Sequence, residues 1–433
     1  MRPLQYLVTG LGFLAILIDG FDTQAAAFAG PLIKREFASN GEVLGLILGM
    51  SMAGGLIGAL LFGRLGDRFG RRPMIIVSLA IISAGSLAGA WAHNPAELAL
   101  LRFLTGLGLG GAVPNVTALV AEYAPPRARS TLVALVLNGF PLGAMLGSVV
   151  GAQILPHYGW RIFFMVGGVV PAVALALVTP LVPESLQILQ RQARPDRLQR
   201  VTARLGDMAN LLLAPDAKSA RSGSASVLQI FSGGLAASTI LIWIASFLSV
   251  LCIYCTINWL PTLISGRGLP LRIAILAVGA LNIGSVLGNV VLGRIADRAS
   301  PSLATAAFYI VGAAFLALIG ISVSVSWVVL TTAFAAGVFA FGAQLSVAAI
   351  TARLYPAQIR ATGVGWQFGI GRIGGAVGPV IAGMLLDTGA GFAEFMAEVG
   401  GLSLLAGIAI FFLGRTRQAR EAQLTRTRLA VNS

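Results

Sequence analysis

The chain has 433 residues, 57% of them hydrophobic and 11% charged, with a mean hydropathy of +0.86. That composition excludes a soluble multidomain protein and describes a chain dissolved in lipid. The formal net charge of +14 is not a nucleic-acid footprint, because the basic residues gather in loops on one side of the expected membrane topology.

A crossing takes about 20 apolar residues. On that rule twelve spans are expected, beginning near Leu7, Val43, Pro73, Ala96, Thr131, Arg161, Leu235, Leu271, Ser302, Ser326, Thr362 and Phe392. The fold class expected is an all-α membrane protein of twelve transmembrane helices in two six-helix halves. The first bundle runs over 1–183, a cytoplasmic central loop over 184–230, the second bundle over 231–414 and a cytoplasmic tail over 415–433.

The first span, Leu7 to Ile33, contains Asp19-Gly20-Phe21-Asp22-Thr23-Gln24. A charge near the bilayer centre costs about 2.5 to 3.5 kcal/mol on insertion scales, so two acids in one span need a task or a partner. Spaced i, i+3, they share a helix face with Gln24 nearby, and Gly20 allows close approach of whatever lies opposite. The structural alternative is burial against arginines elsewhere. Ala25 to Ala27 imitates a signal-peptidase site, but cleavage there would discard the acidic face and leave eleven spans.

After the second span comes Gly63 to Arg72, a loop in which Asp67 stands among Arg64, Arg68, Arg71 and Arg72. The fourth span carries Arg102 about 7 Å into its helix, and Asn115 further along. Asn138 precedes a fifth-span repeat, Gly139, Gly143, Gly147 and Gly151, of the spacing that lets helices cross closely. The loop from Glu184 is rich in Arg and Ser. An amphipathic helix is expected over Arg194 to Leu213 and a flexible linker over Ser219 to Ser226, with no chemistry assigned.

The seventh span holds Cys252 and Cys255, read as small apolar side chains and not as a redox pair, and Tyr254 and Asn258 at i, i+4, with Trp259 next. Gln344 lies in the tenth span. Trp366, Gln367 and Arg372 belong to the eleventh, where Gly371, Gly374, Gly375 and Gly378 crowd together. His93 and His157 stand alone in short loops, so no metal site and no cofactor are expected.

Most of the 30 Lys and Arg fall on one side: Arg2, the Arg64 to Arg72 loop, Arg127 and Arg129, the central loop, Arg294 and Arg298, Arg353 and Arg360, and the tail. Lys34, Arg35, Arg161, Arg267 and Arg272 fall on the other. This positive-inside asymmetry places both termini in the cytoplasm. The halves also repeat. Gly63-Arg64-Leu65-Gly66-Asp67-Arg68 matches Gly293-Arg294-Ile295-Ala296-Asp297-Arg298, and Pro125, Arg129 and Thr131 match Pro356, Arg360 and Thr362 at nearly the same offset. Duplicated halves with a site near the midplane follow.

GRLGDRFGRR over Gly63 to Arg72 resembles the loop between spans two and three of the major facilitator superfamily, and Arg102-x-x-x-Gly106-x-x-x-Gly110 resembles its fourth-span motif. DGFDTQ, LLRFLTGLGLGGAVPN, INWLPTL and YPAQIRATGVGW together resemble the aromatic acid:proton symporter family within it. The resemblance implies import of an aromatic carboxylate of the 4-hydroxybenzoate, protocatechuate or benzoate type with protons, by alternating access, across a bacterial inner membrane. It further implies that Asp67 and Asp297 are cytoplasmic latch residues, supported by Arg71, Glu122, Arg129, Arg353 and Arg360. The chain departs from the family after Asp297, where a histidine is often found and Arg298, Ala299 and Ser300 stand instead.

Only Asp19, Asp22, Arg102 and Arg372 are charges well inside the spans. A guanidinium takes a carboxylate through two charge-assisted hydrogen bonds, so Arg102 and Arg372 are the expected substrate cations; the other reading of Arg102 is an ion pair with Asp22 or helix-end carbonyls. Asp19 is the expected proton carrier, with Asp22 modulating it. Recognition of a flat ring calls for apolar surface with a few polar groups, for which Phe21, Gln24, Phe28, Asn115, Asn138, Tyr254, Asn258, Trp259, Gln344, Trp366 and Gln367 are candidates. The expected partners are the substrate, protons and the lipid bilayer, with no nucleic acid. No nucleophile, metal set or phosphate loop points to an enzyme. Transport of a muconate or nicotinate type of acid, or export, are the alternatives; a Gly-Pro pair near the end of span five, typical of proton-coupled drug exporters, is absent.

Overall fold

A computed structural model describes residues 2–191, 199, 201–203, 205, 227–298, 300–322, 325–356 and 358–431, without the side chains of residues 191, 297 and 417–431. The expected helix over Arg194 to Leu213, the linker over Ser219 to Ser226 and the side chain of Asp297 therefore lie wholly or largely outside the described residues.

The described chain is helical throughout: α1 (Pro3–Glu36), α2 (Gly41–Phe69), α3 (Arg71–Gly89), α4 (Pro95–Tyr123), α5 (Arg129–Leu137), α6 (Gly139–Leu181), α7 (Leu186–Arg191), a short 3-10 turn (Val227–Phe231), α8 (Ala236–Gly266), α9 (Leu271–Arg298), α10 (Pro301–Ile321), α11 (Ser326–Ala336), a π turn (Gly337–Phe341), α12 (Gln344–Leu354), α13 (Arg360–Asp387) and α14 (Phe392–Val431). In hydrocarbon every backbone N–H and C=O must find its partner inside the protein, and helices provide that within one segment. Their starts carry the usual signals. The Asn40 side chain accepts from Val43 N at 2.9 Å and Asn94 from Glu97 N at 2.9 Å, while α1, α4 and α10 open on prolines whose missing N–H costs nothing there.

Eleven helical stretches are long and apolar enough to cross a membrane among the described residues. One of them, Arg129–Leu181, has 53 residues, or about 80 Å of helix, more than two hydrocarbon thicknesses of about 30 Å. Gly159, at φ 79° and ψ 174°, bends it, so two crossings are contained there and the twelve-helix expectation is met. The tenth span is not one regular helix as expected. The π turn separates α11 from α12, and Gln344 follows it after Gly342 and Ala343.

The chain falls into two compact units. The first comprises Met1–Ala220, Asn258–Gly279 and Pro379–Asp387. Within it α1 packs on α6, α2 on α4, and α3 on both α4 and α6, around Ile16, Leu79, Ile82, Leu119, Val136 and Val178. Close approach is literal at Gly20, where an added Cβ would lie 1.9 Å from the Phe140 carbonyl oxygen. The second unit comprises Arg221–Ile257, Ala280–Gly378 and Thr388–Ser433. Here α10 packs along α14, with Ile242, Leu292, Tyr309, Val347 and Ile410 in the core. Lipid is as apolar as leucine, so such contacts rest on dispersion and fit. Exposed Leu60, Val173, Ile381, Phe412 and their neighbours form apolar surface far beyond what a soluble protein shows. The chain is a multi-pass membrane protein.

Candidate functional site

The acidic face of α1 meets three other helices of the first unit. Asp22 is 1% exposed and its Oδ2 lies 2.9 Å from Nη2 of Arg102 on α4, also 1% exposed. The same Nη2 donates to the Asp22 carbonyl at 2.8 Å, Ser86 of α3 donates to Asp22 Oδ1 at 2.7 Å, and Ser51 Oγ of α2 stands 3.5 Å from the guanidinium. The ring of Phe164 lies 5.4 Å from the Arg102 guanidinium carbon. Removing two ions from water costs several kcal/mol each, and only good geometry with additional hydrogen bonds offsets it. Those bonds are present. Of the two readings of Arg102, the structure shows the ion pair, with the guanidinium held against Asp22.

Asp19, on the same face, is 7% exposed, and Thr23 Oγ1 donates to its Oδ1 over a long 3.4 Å. Gln24 is buried beside it. Phe21 and Phe28 both meet Phe163 of α6, with ring centroids 5.3 and 6.4 Å apart. Phe28 is completely buried and belongs to this aromatic packing, while Phe21 keeps partial exposure.

Several other expected ligand residues are packing groups. Asn115 is fully buried and its Nδ2 donates to the carbonyls of Phe62 at 3.0 Å and Gly111 at 2.9 Å, tying α4 to α2. Trp259 is equally buried, with its indole N–H spent on the Pro379 carbonyl at 2.9 Å. In this structure both tie helices together through these bonds, as polar groups in a bilayer must find partners within the protein, while Asn115 Oδ1 has no partner among the described residues. Asn138 donates to the Ala134 carbonyl at 2.8 Å where α5 meets α6. Asn258 is buried in the first unit.

The remaining candidates sit in the second unit. Trp366 stacks on Trp243 with centroids 5.7 Å apart. Gln367 is buried, and its Oε1 has no hydrogen-bond partner among the described residues. Tyr254 faces Gly375, and Arg372 is half-buried on α13. Gln344 Oε1 accepts from the hydroxyls of Ser249 and Tyr309. Neither hydroxyl is singled out by sequence pattern. The only signal was a polar residue in an otherwise apolar span.

The expected latch forms a network at the start of α3. Arg71 Nε donates to Glu122 Oε1 at 2.9 Å, and its Nη2 lies 3.1 Å from Asp67 Oδ1. Glu122 Oε2 accepts from Ser185 Oγ at 2.6 Å. Glu184, to which sequence assigned no chemistry, is central. Its Oε1 accepts from the backbone N–H groups of Arg71 at 3.0 Å, Arg72 at 3.2 Å and Ser185 at 2.8 Å, placing a carboxylate on the positive end of α3. Gly70, at φ 121°, is what admits it, since a Cβ there would come 2.5 Å from Glu184 Oε2. Tyr123 donates to the Glu184 carbonyl and Gln5 to the Tyr123 carbonyl, each at 2.7 Å. The clue was a lone acid, Pro183-Glu184-Ser185, opening a basic loop.

Arg129 is half-buried, while Arg353 and Arg360 are exposed. Arg360 Nε donates to the Tyr355 carbonyl at 3.3 Å. Neither Arg353 nor Arg360 makes an ion pair among the described residues, which exclude the Asp297 side chain. At the other ends of these helices the Asp387 carboxylate accepts from Gly41 N at 2.7 Å and Glu42 N at 2.9 Å, capping α2. Glu36 pairs with Arg161 and accepts from Trp160 Nε1 at 2.6 Å.

Comparison with known proteins gives the chain's family and relatives. The family model described as Major Facilitator Superfamily matches residues 12–345. A gallate transporter of Pseudomonas putida is 36% identical over 96% of this chain and 94% of its own length. The 4-hydroxybenzoate transporter PcaK of Pseudomonas aeruginosa is 33% identical over 97% of this chain and 94% of its own. Among solved structures, the xylose transporter XylE of E. coli, in a partially occluded inward-open conformation, superposes with a TM-score of 0.73 at 18% identity, covering 94% of this chain and 98% of that one. The last likeness bears on the fold alone.

Proposed function

This chain belongs to the major facilitator superfamily and, within it, to the aromatic acid transporters, and we propose that it imports an aromatic carboxylate together with protons by alternating access. The observation that carries the assignment of roles is the sealed Asp22–Arg102 pair. With Arg102 engaged by Asp22, Asp19 on the same face of α1 is in this reading the acid that takes up and releases the proton, and Arg372, near the middle of α13, the cation that receives the substrate carboxylate. Asp22 and Arg102 hold α1, α2, α3 and α4 in register around that acid.

In this reading 1–183 and 231–414 are the rocking six-helix bundles, joined by 184–230, with 415–433 as a tail. The Arg71–Glu122–Glu184 network lies on the cytoplasmic side and is the contact remade in each cycle, with Asp67, Asp297, Arg129, Arg353 and Arg360 around it. The positive-inside asymmetry supports cytoplasmic termini in a bacterial inner membrane. The names of the relatives support a hydroxylated benzoate as the cargo.

The test is uptake of labelled 4-hydroxybenzoate, protocatechuate and benzoate into proteoliposomes with an inward proton gradient imposed or collapsed. Gradient-dependent accumulation of at least one is expected. Tight vesicles holding folded protein that accumulate none of them, or that extrude them, would overturn the reading.

A further inference from the structure

Gln344 opens α12, with Gly342 and Ala343 between it and the π turn; such a turn is a local insertion that re-aims the side chains following it and recurs at functional sites. Its amide is held at one end only. Oε1 accepts from the Ser249 hydroxyl of α8 in a close contact and from the Tyr309 hydroxyl of α10 at 3.2 Å. Both donors are 1% exposed. The Tyr309 backbone is itself fixed, since its carbonyl accepts from Ser403 of α14 at 2.9 Å. Gln344, by contrast, is half-buried.

An amide whose oxygen is committed to two hydroxyl donors can offer only its NH2 group elsewhere. Gln344 Nε2 makes no hydrogen bond among the described residues, although both groups that orient it are sealed in the core. The arrangement presents two N–H donors on an otherwise satisfied node of a membrane span. Such a group fits an oxygen brought in from outside the protein.

We propose that Gln344 reads the ring hydroxyl of the aromatic acid, donating to the phenolic oxygen, and that Ser249 and Tyr309 are positioning residues that fix its amide. The inference rests on the aromatic-acid reading above. The carboxylate is the poorer match for this group. A guanidinium outbids a neutral amide for an anion, Arg102 is sealed against Asp22, and Arg372, in the same unit as Gln344, is the cation assigned to the carboxylate. A neutral donor pair suits a neutral phenolic oxygen. A site built around such a donor discriminates against the analogue that lacks the hydroxyl, because the donor is then left unpaired.

The experiment measures the apparent KM for 4-hydroxybenzoate and for benzoate in proteoliposomes, for the wild type, Gln344→Leu, Tyr309→Phe and Ser249→Ala. The readout is the ratio of the two constants. Loss of one hydrogen bond to substrate corresponds to about a five- to tenfold change in that ratio for Gln344→Leu, against 4-hydroxybenzoate. Tyr309→Phe and Ser249→Ala are expected to shift it in the same direction by about two- to threefold. A structural role alone would change both substrates equally. An unchanged ratio in Gln344→Leu overturns the assignment. Should that variant fail to fold, an unchanged ratio in both Tyr309→Phe and Ser249→Ala overturns it as well. A wild type that transports neither of these two acids nor protocatechuate overturns the aromatic-acid reading itself, and transport of both with an unmoved ratio overturns only the hydroxyl reader.

Discussion

Two arginine–carboxylate pairs in the first unit have the same length and different surroundings. Arg102 and Asp22 meet at 2.9 Å with 1% of either side chain exposed. Arg71 and Glu122 also meet at 2.9 Å, but at a helix start, with 18% and 9% of their side chains exposed and Asp67 of the same network 69% exposed. The first pair is flanked by the hydroxyls of Ser86 and Ser51, and only Arg102 Nε of its guanidinium and carboxylate atoms is buried without a partner among the described residues. The second is spread over Asp67, Glu122, Glu184, Ser185 and backbone amides, so no single bond dominates. A sealed pair suits a fixed framework, and a distributed, partly hydrated one suits a contact that is made and broken.

Mutation separates the two. Arg102→Ala strands the Asp22 charge in the core and is expected to cost about 3 to 5 kcal/mol, read as loss of folded protein in detergent melts; pairing Arg102→Met with Asp22→Leu should restore much of it. Asp19→Asn tests the neighbouring acid. Its melt is expected to stay within about 1 kcal/mol of wild type, because an amide keeps the polar contact with Thr23, while proton-driven accumulation disappears. Accumulation at the wild-type level would remove Asp19 as the carrier. In the second network Glu184→Ala should cost about 1 to 2 kcal/mol, the loss of a helix cap, with a change in transport rate larger than any change in substrate affinity. Asp67→Ala should cost less than about 1 kcal/mol, as exposed pairs do. A melt depressed as far as that of Arg102→Ala would show that the latch is a framework after all.

The sequence displayed the spans because a crossing needs a long apolar run, and every expected start lies within a few residues of a helix start or, for Arg161, just past the bend at Gly159. It displayed Asp19, Asp22 and Arg102 because charge in such a run is conspicuous. It did not decide between substrate and Asp22 as the partner of Arg102, since that turns on Ser86 and Ser51, serines with no periodicity of their own. Glu184 escaped notice because its partners, the amides of Arg71 and Arg72, are far away in sequence and carry no side-chain signature. The ties made by Trp259 and Asn115 were not legible, because an indole or amide in a span looks the same whether it faces a ligand or a neighbouring carbonyl. The π turn before Gln344 is not marked by any proline in the tenth span.

The neutralised Asp22–Arg102 pair also bears on the electrical character of the cycle. Moving one uncompensated charge through the membrane field is worth about 2.3 kcal/mol per 100 mV, and this pair contributes none. Asp19 and Arg372 have opposite signs too, so a cycle that binds one proton at the first and one monovalent carboxylate at the second returns with no net charge displaced. Uptake at a fixed pH difference is then expected to be indifferent to a potassium diffusion potential imposed with valinomycin. A rate that climbs with inside-negative voltage would mean that each carboxylate travels with more than one proton.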